Sequence, residues 1–544
     1  MKEQHFWQIL LAIAAVYLTA LYVNIMDVDA AQYAAMSREM LESGSFLQVK
    51  EHGLDYLDKP PLVFWLSSLS IWAFDATNFA YKLPSFLFAL LAVYSTYRFT
   101  KIFYNIPISR LAAIVLASSQ ALFTITNDCR TDTLLMGSVA FAIWQLAEGF
   151  ENGRWQSFLW GFVGLGFGLL AKGPVAIIIP VLAFGTHFIA KKQYKNFFRL
   201  EYVWGLGVIT LILLPMCIGL YQQFDSQPEK NTSGLRFFFW TQSFGRITGE
   251  NTWQNDVDFF FLLNAMLWSF APWILFFLVG FIYFILDFFK RKMPFAHPEM
   301  ITLGGFILGY ASLASSKYQL PHYVFVLYPL AAVITARFIV TVLEDKKRWI
   351  LSKILRGLQW FIVSILWILP FLVLVFVFPN SGFPLLTLAI LVGFYVFLAI
   401  KRREIVQASV FTVVAINLFM NLYFYPNLLT YQDSSEVGKV ITEMQIPSDK
   451  FFTYQYPRTP ALHFYARRII KDKYAIEQIA VGDWLLTDKN GLDILQKSPF
   501  ALAVVKTGDT FYVTALTGVF LNEKTRYKAV GQYFLVHILS NVQR

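Results

Sequence analysis

The stretch DVDAAQY, residues 27–33, directly follows the first long apolar run of the chain, and YLDKPP, residues 56–61, comes about 25 residues later. The two stretches place carboxylates and a lysine just outside an expected membrane span. Ionisable groups against a bilayer are costly, and they usually serve a function. The pattern therefore predicts a polytopic α-helical membrane protein with a site at the membrane surface, where a charged, lipid-borne substrate is handled.

The composition of the whole chain agrees with this interpretation. Of the 544 residues, 57% are hydrophobic and only 15% are charged, whereas a soluble domain carries about 25% charged residues. The net charge of +10 lies mostly in short loops between apolar runs, where basic residues set topology rather than bind nucleic acid. The patterns CxxC, HExxH and GxxxxGK(S/T) are absent from the sequence, which disfavours a zinc protease or a P-loop enzyme.

About thirteen apolar runs are long enough to be membrane spans. They lie near residues 6–25, 80–98, 108–126, 132–149, 156–171, 174–190, 203–221, 262–288, 299–314, 321–341, 357–378, 382–400 and 406–424. The first run is expected to be retained as a span, since no small-x-small cleavage site precedes Asp27. The fifth and sixth runs are separated only by Lys172 and Gly173, so they predict a tight helical hairpin.

In this arrangement of spans, the loops rich in basic residues lie on one side of the membrane. The long loops 26–79 and 222–261 lie on the other side. The positive-inside rule therefore places the N-terminus in the cytoplasm and both long loops outside. We expect residues 1–424 to form the membrane domain and residues 425–544 to form a mixed α/β domain on the outer face. Strand-like runs in this second domain cover residues 501–505, 511–516 and 533–538.

Asp29 opens a segment of good helix formers that ends at Gly44, a natural helix stop. Two interpretations of Asp29 stay open at this point. It is either an N-cap, with Gln32 completing a capping-box-like pair, or a catalytic carboxylate. Either way, the helix places Asp29 at its membrane-proximal start, where an acceptor group can arrive from outside.

The same helix carries an apolar stripe formed by Tyr33, Met36 and Met40 at helical spacing. We expect this stripe to lie on the bilayer surface.

Lys59 follows Asp58 and precedes two prolines, which hold the backbone extended at the membrane interface. A lysine held there can bind a phosphate as a point charge. The alternative is that its charged end only snorkels to the interface as an anchor.

Further charged and polar groups are expected on the same outer face. Asp132 begins a span and is another candidate N-cap, while Tyr318 and His322 accompany Lys317 in a short loop. The charged set on this face comprises Asp29, Asp58, Lys59, Asp132, Lys172, Arg246 and Lys317. Several cations together with carboxylates suit a phosphate-bearing ligand and an acid–base step.

The ordered motifs resemble those of the bacterial lipid A aminoarabinose transferases, which are similar to the protein O-mannosyltransferases and share the GT-C fold. The resemblance is carried by residues 29–40 (DAAQYAAMSREM), 56–62 (YLDKPPL), 81–85 (YKLPS), 130–132 (RTD), 171–174 (AKGP), 316–321 (SKYQLP) and 462–467 (LHFYAR). These segments extend over most of the chain.

The resemblance implies sugar transfer from a polyprenyl-phosphate donor to an acceptor on the outer face of the bacterial inner membrane, with a periplasmic C-terminal domain. It implies a catalytic role for Asp29, a second acid at Asp132, and donor-phosphate contacts from Lys59 and Arg246. Lys172 and Lys317 add cations for the same phosphate, and Gln32, Tyr33, Asp58, Tyr318 and His322 would bind or orient the substrates.

Three positions depart from the family pattern: Ala30 replaces a second carboxylate, Gln32 replaces an arginine, and Asp58 replaces a glutamate. Relatives can hold a divalent metal near that glutamate, so a metal requirement stays open here. The departures weaken the assignment to aminoarabinose but not to sugar transfer.

The leading prediction is a glycosyltransferase that modifies a lipid A-type glycolipid or a polysaccharide. Transfer to serine or threonine of an exported protein is the alternative within the same class. A lipid or solute transporter is the alternative from another class, although the sequence shows none of the internal repeats common in transporters.

Overall fold

The computed structural model describes residues 3–242, 257–291, 298–379, 382–397, 404–457 and 459–541, together with the single positions 245, 248, 250 and 255. Arg246, one of the predicted phosphate-binding residues, lies outside the described residues. The chain folds into a large helical body, which is followed by a smaller domain built on a sheet.

The helical body contains helices α1 to α17. They are α1 Glu3–Ala20, α2 Asp29–Ser43, α3 Leu62–Phe74, α4 Asn78–Phe103, α5 Ile106–Ala117, α6 Gln120–Asn127, α7 Thr131–Asn152, α8 Trp155–Lys172, α9 Val175–Lys191, α10 Glu201–Leu220, α11 Phe261–Ser269, α12 Ile274–Arg291, α13 Ile301–Ala314, α14 Tyr328–Phe338, α15 Trp349–Leu366, α16 Phe383–Phe397 and α17 Ile405–Phe419.

Within the described residues, six helical segments are long and apolar enough to cross a membrane. A seventh is possible if α5 and α6, which bend by 45° at their junction, form one broken span. Several shorter apolar helices, such as α3 and α9, accompany them. A helical protein built to sit in a bilayer is therefore confirmed, and the count of thirteen spans stays a prediction.

Helix α2 forms where it was predicted and ends at Gly44, whose φ of 68° is the left-handed conformation that glycine adopts readily. The N-cap interpretation of Asp29 is wrong, because the helix begins at Asp29 and the cap position is Val28. The expected bilayer stripe is also wrong. Tyr33, Met36 and Met40 are buried inside the protein, where the Tyr33 ring packs edge-on against Phe64 of α3.

The loop 26–79 is more ordered than the sequence indicates. A two-stranded hairpin, β1 Lys50–Glu51 and β2 Leu54–Asp55, follows α2, and α3 follows the hairpin. The Glu39 carboxylate of α2 accepts hydrogen bonds from the backbone N–H groups of His52 and Gly53, at 2.8 and 2.7 Å. The loop is thus folded back on α2 rather than left free.

The predicted helical hairpin is confirmed as α8 and α9, with Lys172 as the last residue of α8 and Gly173 at the turn with a φ of 84°. The N-cap interpretation of Asp132 is wrong, since α7 begins one residue earlier and its cap position is Arg130. Asp132 instead lies in the first turn of α7, where the positive end of the helix dipole favours a carboxylate.

The C-terminal domain is a five-stranded mixed sheet flanked by helices, of which α18 Ser434–Glu443 and α19 Lys489–Gln496 are the longest. Its strands are β3 Phe451–Tyr454, β4 Lys471–Lys473, β5 Trp484–Asp488, β6 Phe500–Thr510 and β7 Gly531–Asn541, in the order β4-β3-β5-β7-β6. Strand β3 runs parallel to β4 and β5, and β7 runs antiparallel to β5 and β6. The mixed α/β prediction is confirmed, but the strand expected over 511–516 is wrong, because β6 ends at Thr510.

The segment that leads into α2 joins the two domains. The Asp27 backbone N–H donates to the Gln432 side chain at 3.0 Å, and the Asp27 carboxylate accepts from the backbone N–H of Ala461 at 3.0 Å. Lys82 of α4 is fully buried and donates to the carbonyls of Ala20 and Val23, at the end of α1. These contacts fix the chain just before Asp29.

The buried Asp27 carboxyl is expected to make the stability of the folded protein depend on pH. Burial raises the pKa of its carboxyl to about 7, and the nearby Asp433 carboxylate adds to the rise against the hydrogen bond from Ala461. The folded protein therefore binds this proton more tightly than the unfolded chain, and stability falls as pH rises from about 4 to about 7. We expect Asp27→Asn to flatten the pH dependence of the thermal unfolding midpoint in detergent.

Asp75→Asn is the matched control, because the hydrogen bond from Arg467 lowers the pKa of Asp75 and gives the opposite slope. A pH dependence that is the same in Asp27→Asn and in the wild type would contradict the prediction.

Candidate functional site

Asp29 is held by an arginine that lies 101 positions away in the sequence. Arg130, just before α7, places its Nη1 atom 2.6 Å from the Asp29 carboxylate and its Nε atom 2.7 Å from the Asp128 carboxylate. Burial alone would lower the pKa of the Arg130 guanidinium, but these two carboxylates raise it above its ordinary value. The Asp29 side chain keeps 38% of its surface exposed, so an incoming group can reach it.

A second ion pair lies at the start of α7. Lys172, at the end of α8, is hydrogen-bonded to the Asp132 carboxylate, whose side chain is only 5% exposed. The Nε2 atom of His322 lies 3.6 Å from the other Asp132 oxygen, and the Lys172 ammonium sits over the Tyr323 ring at 4.0 Å from its centroid. The Lys172 ammonium is therefore held by the Asp132 carboxylate and the Tyr323 ring, and His322 contacts the same carboxylate.

Lys59 and Asp58 form a third pair, in the turn before α3. The Gln242 side chain donates to the Asp58 carboxylate at 3.2 Å and to the Asp58 backbone carbonyl. This contact ties the first long loop to the second one, and the Lys59 side chain stays partly exposed. Lys59 therefore lies beside a contact between the two loops, and its role in phosphate binding stays a prediction.

Tyr33 lies within electrostatic range of both the Asp29 and the Asp58 carboxylates. Burial raises the pKa of its hydroxyl well above the ordinary value, and Tyr56 and the carboxylates of Asp29 and Asp58 add to this rise. Its hydroxyl therefore stays protonated and can donate a hydrogen bond. The Tyr33 hydroxyl thus interacts electrostatically with one carboxylate of each ion pair, Asp29 and Asp58.

One cavity brings Lys59, Asp132 and Lys172 together. It has a volume of ≈ 110 Å³, and Gln242 and Tyr323 also line it. Its remaining walls are largely apolar and include Leu135, Val175, Ile178, Leu313 and Val326. A smaller cavity of ≈ 20 Å³ shares Lys59 and Gln242 with it and is walled by residues such as Leu57 and Met216. Two ammonium groups in a cavity with largely apolar walls suit an anionic group that carries a hydrocarbon chain.

The other predicted residues are placed less centrally. Gln32 donates to Glu51 at 2.7 Å and so supports the hairpin rather than a capping box. Lys317 is exposed, although its neighbour Ser316 lines the cavity. Tyr318 meets Tyr323 edge-on with ring centroids 6.5 Å apart.

Two contributors were missed as site residues. Arg130 stands in the RTD motif at residues 130–132, so its presence was visible in the sequence but its partner was not. Gln242 carries no signal in the sequence. Among the described residues, no group of three or more His, Cys, Asp or Glu side chains is placed to hold a metal ion.

The solved structure of ArnT from Cupriavidus metallidurans bound to undecaprenyl phosphate superposes on 98% of this chain and on 98% of its own, with a TM-score of 0.73 and 15% sequence identity. The chain has the ArnT fold. The resemblance to the aminoarabinose transferases, which the ordered motifs predicted, is thereby confirmed at the level of the fold.

Relatives named as arabinosyl transferases also match in sequence. The undecaprenyl phosphate-alpha-4-amino-4-deoxy-L-arabinose arabinosyl transferase 2 of Sodalis glossinidius (strain morsitans) is 26% identical over 338 residues, which cover 60% of this chain and 58% of that relative. The corresponding transferase of Edwardsiella ictaluri (strain 93-146) is 26% identical over 317 residues, which cover 57% and 55%. The chain thus matches less than two thirds of the length of either relative.

A family model described as dolichyl-phosphate-mannose-protein mannosyltransferase matches residues 58–218. This range runs from Asp58 through the Asp132–Lys172 pair to α10. It therefore contains the cations and the acid that line the larger cavity, whereas Asp29 precedes it.

Proposed function

We propose that the chain is a membrane glycosyltransferase that moves a sugar from a polyprenyl-phosphate donor to an envelope acceptor. The observation that carries the proposal is the largely apolar cavity lined by Lys59, Lys172 and Asp132. Asp132 lies within electrostatic range of Arg130, which pairs with the partly exposed Asp29 carboxylate. A lipid phosphate satisfies both features, because its charge meets the two ammonium groups and its chain meets the apolar wall.

In the proposed reaction, an acceptor oxygen forms a bond to the anomeric carbon of the donor sugar, and the bond from that carbon to the phosphate oxygen breaks. The polyprenyl phosphate leaves with the bonding electrons, and fixed cations at Lys59 and Lys172 stabilise the negative charge that develops on it. Asp132 holds Lys172 in place for this role. Arg246, outside the described residues, is proposed as a further phosphate contact.

Asp29 is proposed to accept the proton of a hydroxyl acceptor as the new bond forms. Arg130 orients the carboxylate through the contact at 2.6 Å, and Asp128 holds the arginine from the other side. If the acceptor is already an anionic phosphate, Asp29 only orients it and no base is required.

The proposal includes a topology of about thirteen spans, with a cytoplasmic N-terminus and a periplasmic C-terminal domain in the bacterial inner membrane. The relatives that match in sequence are named as transferases of a sugar carried on undecaprenyl phosphate, which supports the proposed donor. A lipid A-type glycolipid is the proposed acceptor, because the ordered motifs resemble those of the lipid A aminoarabinose transferases. Transfer to serine or threonine of an exported protein is the second candidate, and the family match over residues 58–218 favours it.

Purified full-length protein in nanodiscs, given labelled undecaprenyl-phosphate sugars, tests the proposal. We expect label to appear on an envelope glycolipid and not on a serine/threonine-rich peptide. Label on the peptide alone would favour the second candidate. Absence of transfer with every donor, together with substrate-dependent movement of lipid or solute in proteoliposomes, would overturn the proposal in favour of a transporter.

A further inference from the structure

A second, larger cavity of ≈ 520 Å³ lies where the C-terminal domain meets the start of the first outer loop. It shares no lining residue with the cavity at Lys59 and Lys172. The membrane domain contributes Asp27 to its floor, and the sheet domain contributes its walls, among them Tyr456 and Tyr512. The proposed transfer reaction makes no use of this space.

The floor of this cavity is rigidly built. Asp27 is 6% exposed and Asp433 is 3% exposed, so both carboxylates are buried. Asp27 accepts from the Ala461 backbone at 3.0 Å, and Asp433 accepts from the Tyr456 hydroxyl at 2.8 Å. Gln432, which also lines the cavity, holds the Asp27 backbone at 3.0 Å. The polar groups at the floor are therefore fixed before any ligand arrives.

The mouth of the cavity has a different character. Tyr512 presents 58% of its surface to solvent, and the polar side chains of Lys489, Asn490 and Gln532 are also exposed there. An aromatic face beside several donors and acceptors suits a polyhydroxylated ring. The C–H face of such a ring can pack on the tyrosine, while its hydroxyls can both donate and accept.

The charges of the lining limit which rings can enter. Asp27, Asp433 and Asp488 contribute three carboxyl groups, and Lys489 contributes the one lining ammonium among the described residues. Burial raises the pKa of Asp27 to about 7 and raises the pKa of Asp433 as well, so the excess of negative charge grows as the pH rises through 7. An excess of carboxylate repels a phosphate and attracts an amine. The balance of acids and lysines in this lining thus differs from that of the Lys59–Lys172 cavity, which has two lysines and one acid.

We propose that this junction cavity binds an unphosphorylated saccharide unit, neutral or amine-bearing, that belongs to the acceptor. The identity of the ligand as part of the acceptor rests on the proposed transfer reaction. Asp27 lies two residues before Asp29, so their Cα atoms are at most ~7 Å apart. A glycan seated in the junction cavity would therefore extend toward the Asp29 carboxylate, while the donor phosphate occupies the other cavity.

Saccharide binding is measured first, without any transfer step. Full-length protein in a detergent that has no sugar headgroup is probed by saturation-transfer difference NMR with D-glucosamine, D-glucose and D-glucosamine 6-phosphate. We expect signals from glucosamine and glucose, and weaker binding of the phosphorylated sugar. Tyr512→Ala is expected to weaken binding of glucosamine roughly two- to tenfold.

Tyr527→Ala is the matched control, since Tyr527 is an exposed tyrosine of the same domain, 73% accessible, that does not line the cavity. Asn490→Ala provides a second variant at the mouth and is also expected to weaken binding. Absence of binding by all three sugars, equal binding of the phosphorylated sugar, or equal binding by wild type, Tyr512→Ala and Asn490→Ala would overturn the proposal.

Transfer kinetics then show whether the bound saccharide belongs to the acceptor or to the donor. We expect Tyr512→Ala to raise the KM for the acceptor and to leave the KM for the polyprenyl-phosphate donor unchanged. A rise in the donor KM alone would overturn the assignment to the acceptor. Sugar transfer by a protein that binds none of the free saccharides would overturn this inference but would still support the proposed function.

Discussion

Asp29→Asn is expected to lower the rate of sugar transfer to a hydroxyl acceptor by roughly 10²–10⁴-fold. The substitution keeps the size of the side chain and its place at the start of α2 but removes the group that would accept the proton. Arg130 remains fixed by Asp128 at 2.7 Å, so the surrounding geometry is expected to persist. Donor binding should therefore be unchanged while kcat falls, as steady-state kinetics with labelled donor would report.

Asp128→Asn is the matched control for Asp29→Asn. It removes the other carboxylate that pairs with Arg130. Partly exposed ion pairs of this kind contribute about 0–1 kcal/mol. We therefore expect the transfer rate of Asp128→Asn to fall by less than about tenfold. Transfer by Asp29→Asn at a tenth of the wild-type rate or more would contradict a base at this position. That outcome would instead favour an anionic acceptor.

Sequence patterns were most informative where the signal is local. The stop of α2 at Gly44 and the turn of the α8–α9 hairpin at Gly173 both depend on backbone conformations that glycine favours, and both were predicted. The strands over 501–505 and 533–538 were found within β6 and β7. Helix α3 was missed because its 13 residues fall short of the roughly 20 that a span search requires.

Long-range pairing accounts for most of what the sequence could not predict. Asp29 and Arg130 are 101 positions apart, so nothing in their local spacing indicates that they meet. The predicted caps at Asp29 and Asp132 were wrong for the same reason, since both carboxylates are paired with distant cations rather than capping their own helices. A tertiary ion pair outweighed the local capping preference at both positions.

Long-range contacts also determine where β6 ends. Phe511 has a strand-like neighbourhood in the sequence, but its backbone N–H donates to the Tyr431 carbonyl at 2.9 Å, and its ring stacks on Phe520 at a centroid distance of 3.9 Å. Contacts with the end of the helical body thus take this segment out of the sheet. Local β propensity was overridden by packing at the domain junction.

Lys172→Met is expected to lower both the stability of the protein and its affinity for undecaprenyl phosphate. Asp132 would keep a side chain that is only 5% exposed but would lose its ammonium partner, and breaking a buried pair in this way costs about 3–5 kcal/mol. His322 lies 3.6 Å from the second carboxylate oxygen and can compensate only in part. Thermal unfolding in detergent and binding of labelled undecaprenyl phosphate would measure the two effects separately.

The double variant Lys172→Met/Asp132→Asn separates the structural role of Lys172 from its binding role. Neutralising Asp132 removes the uncompensated buried charge, so stability should return toward the wild-type value. The lipid phosphate would still lack one of its two cations, so its affinity should stay low. Recovery of both properties in the double variant would mean that Lys172 only balances Asp132, and the donor phosphate would then have to be held by Lys59 and residues outside this pair.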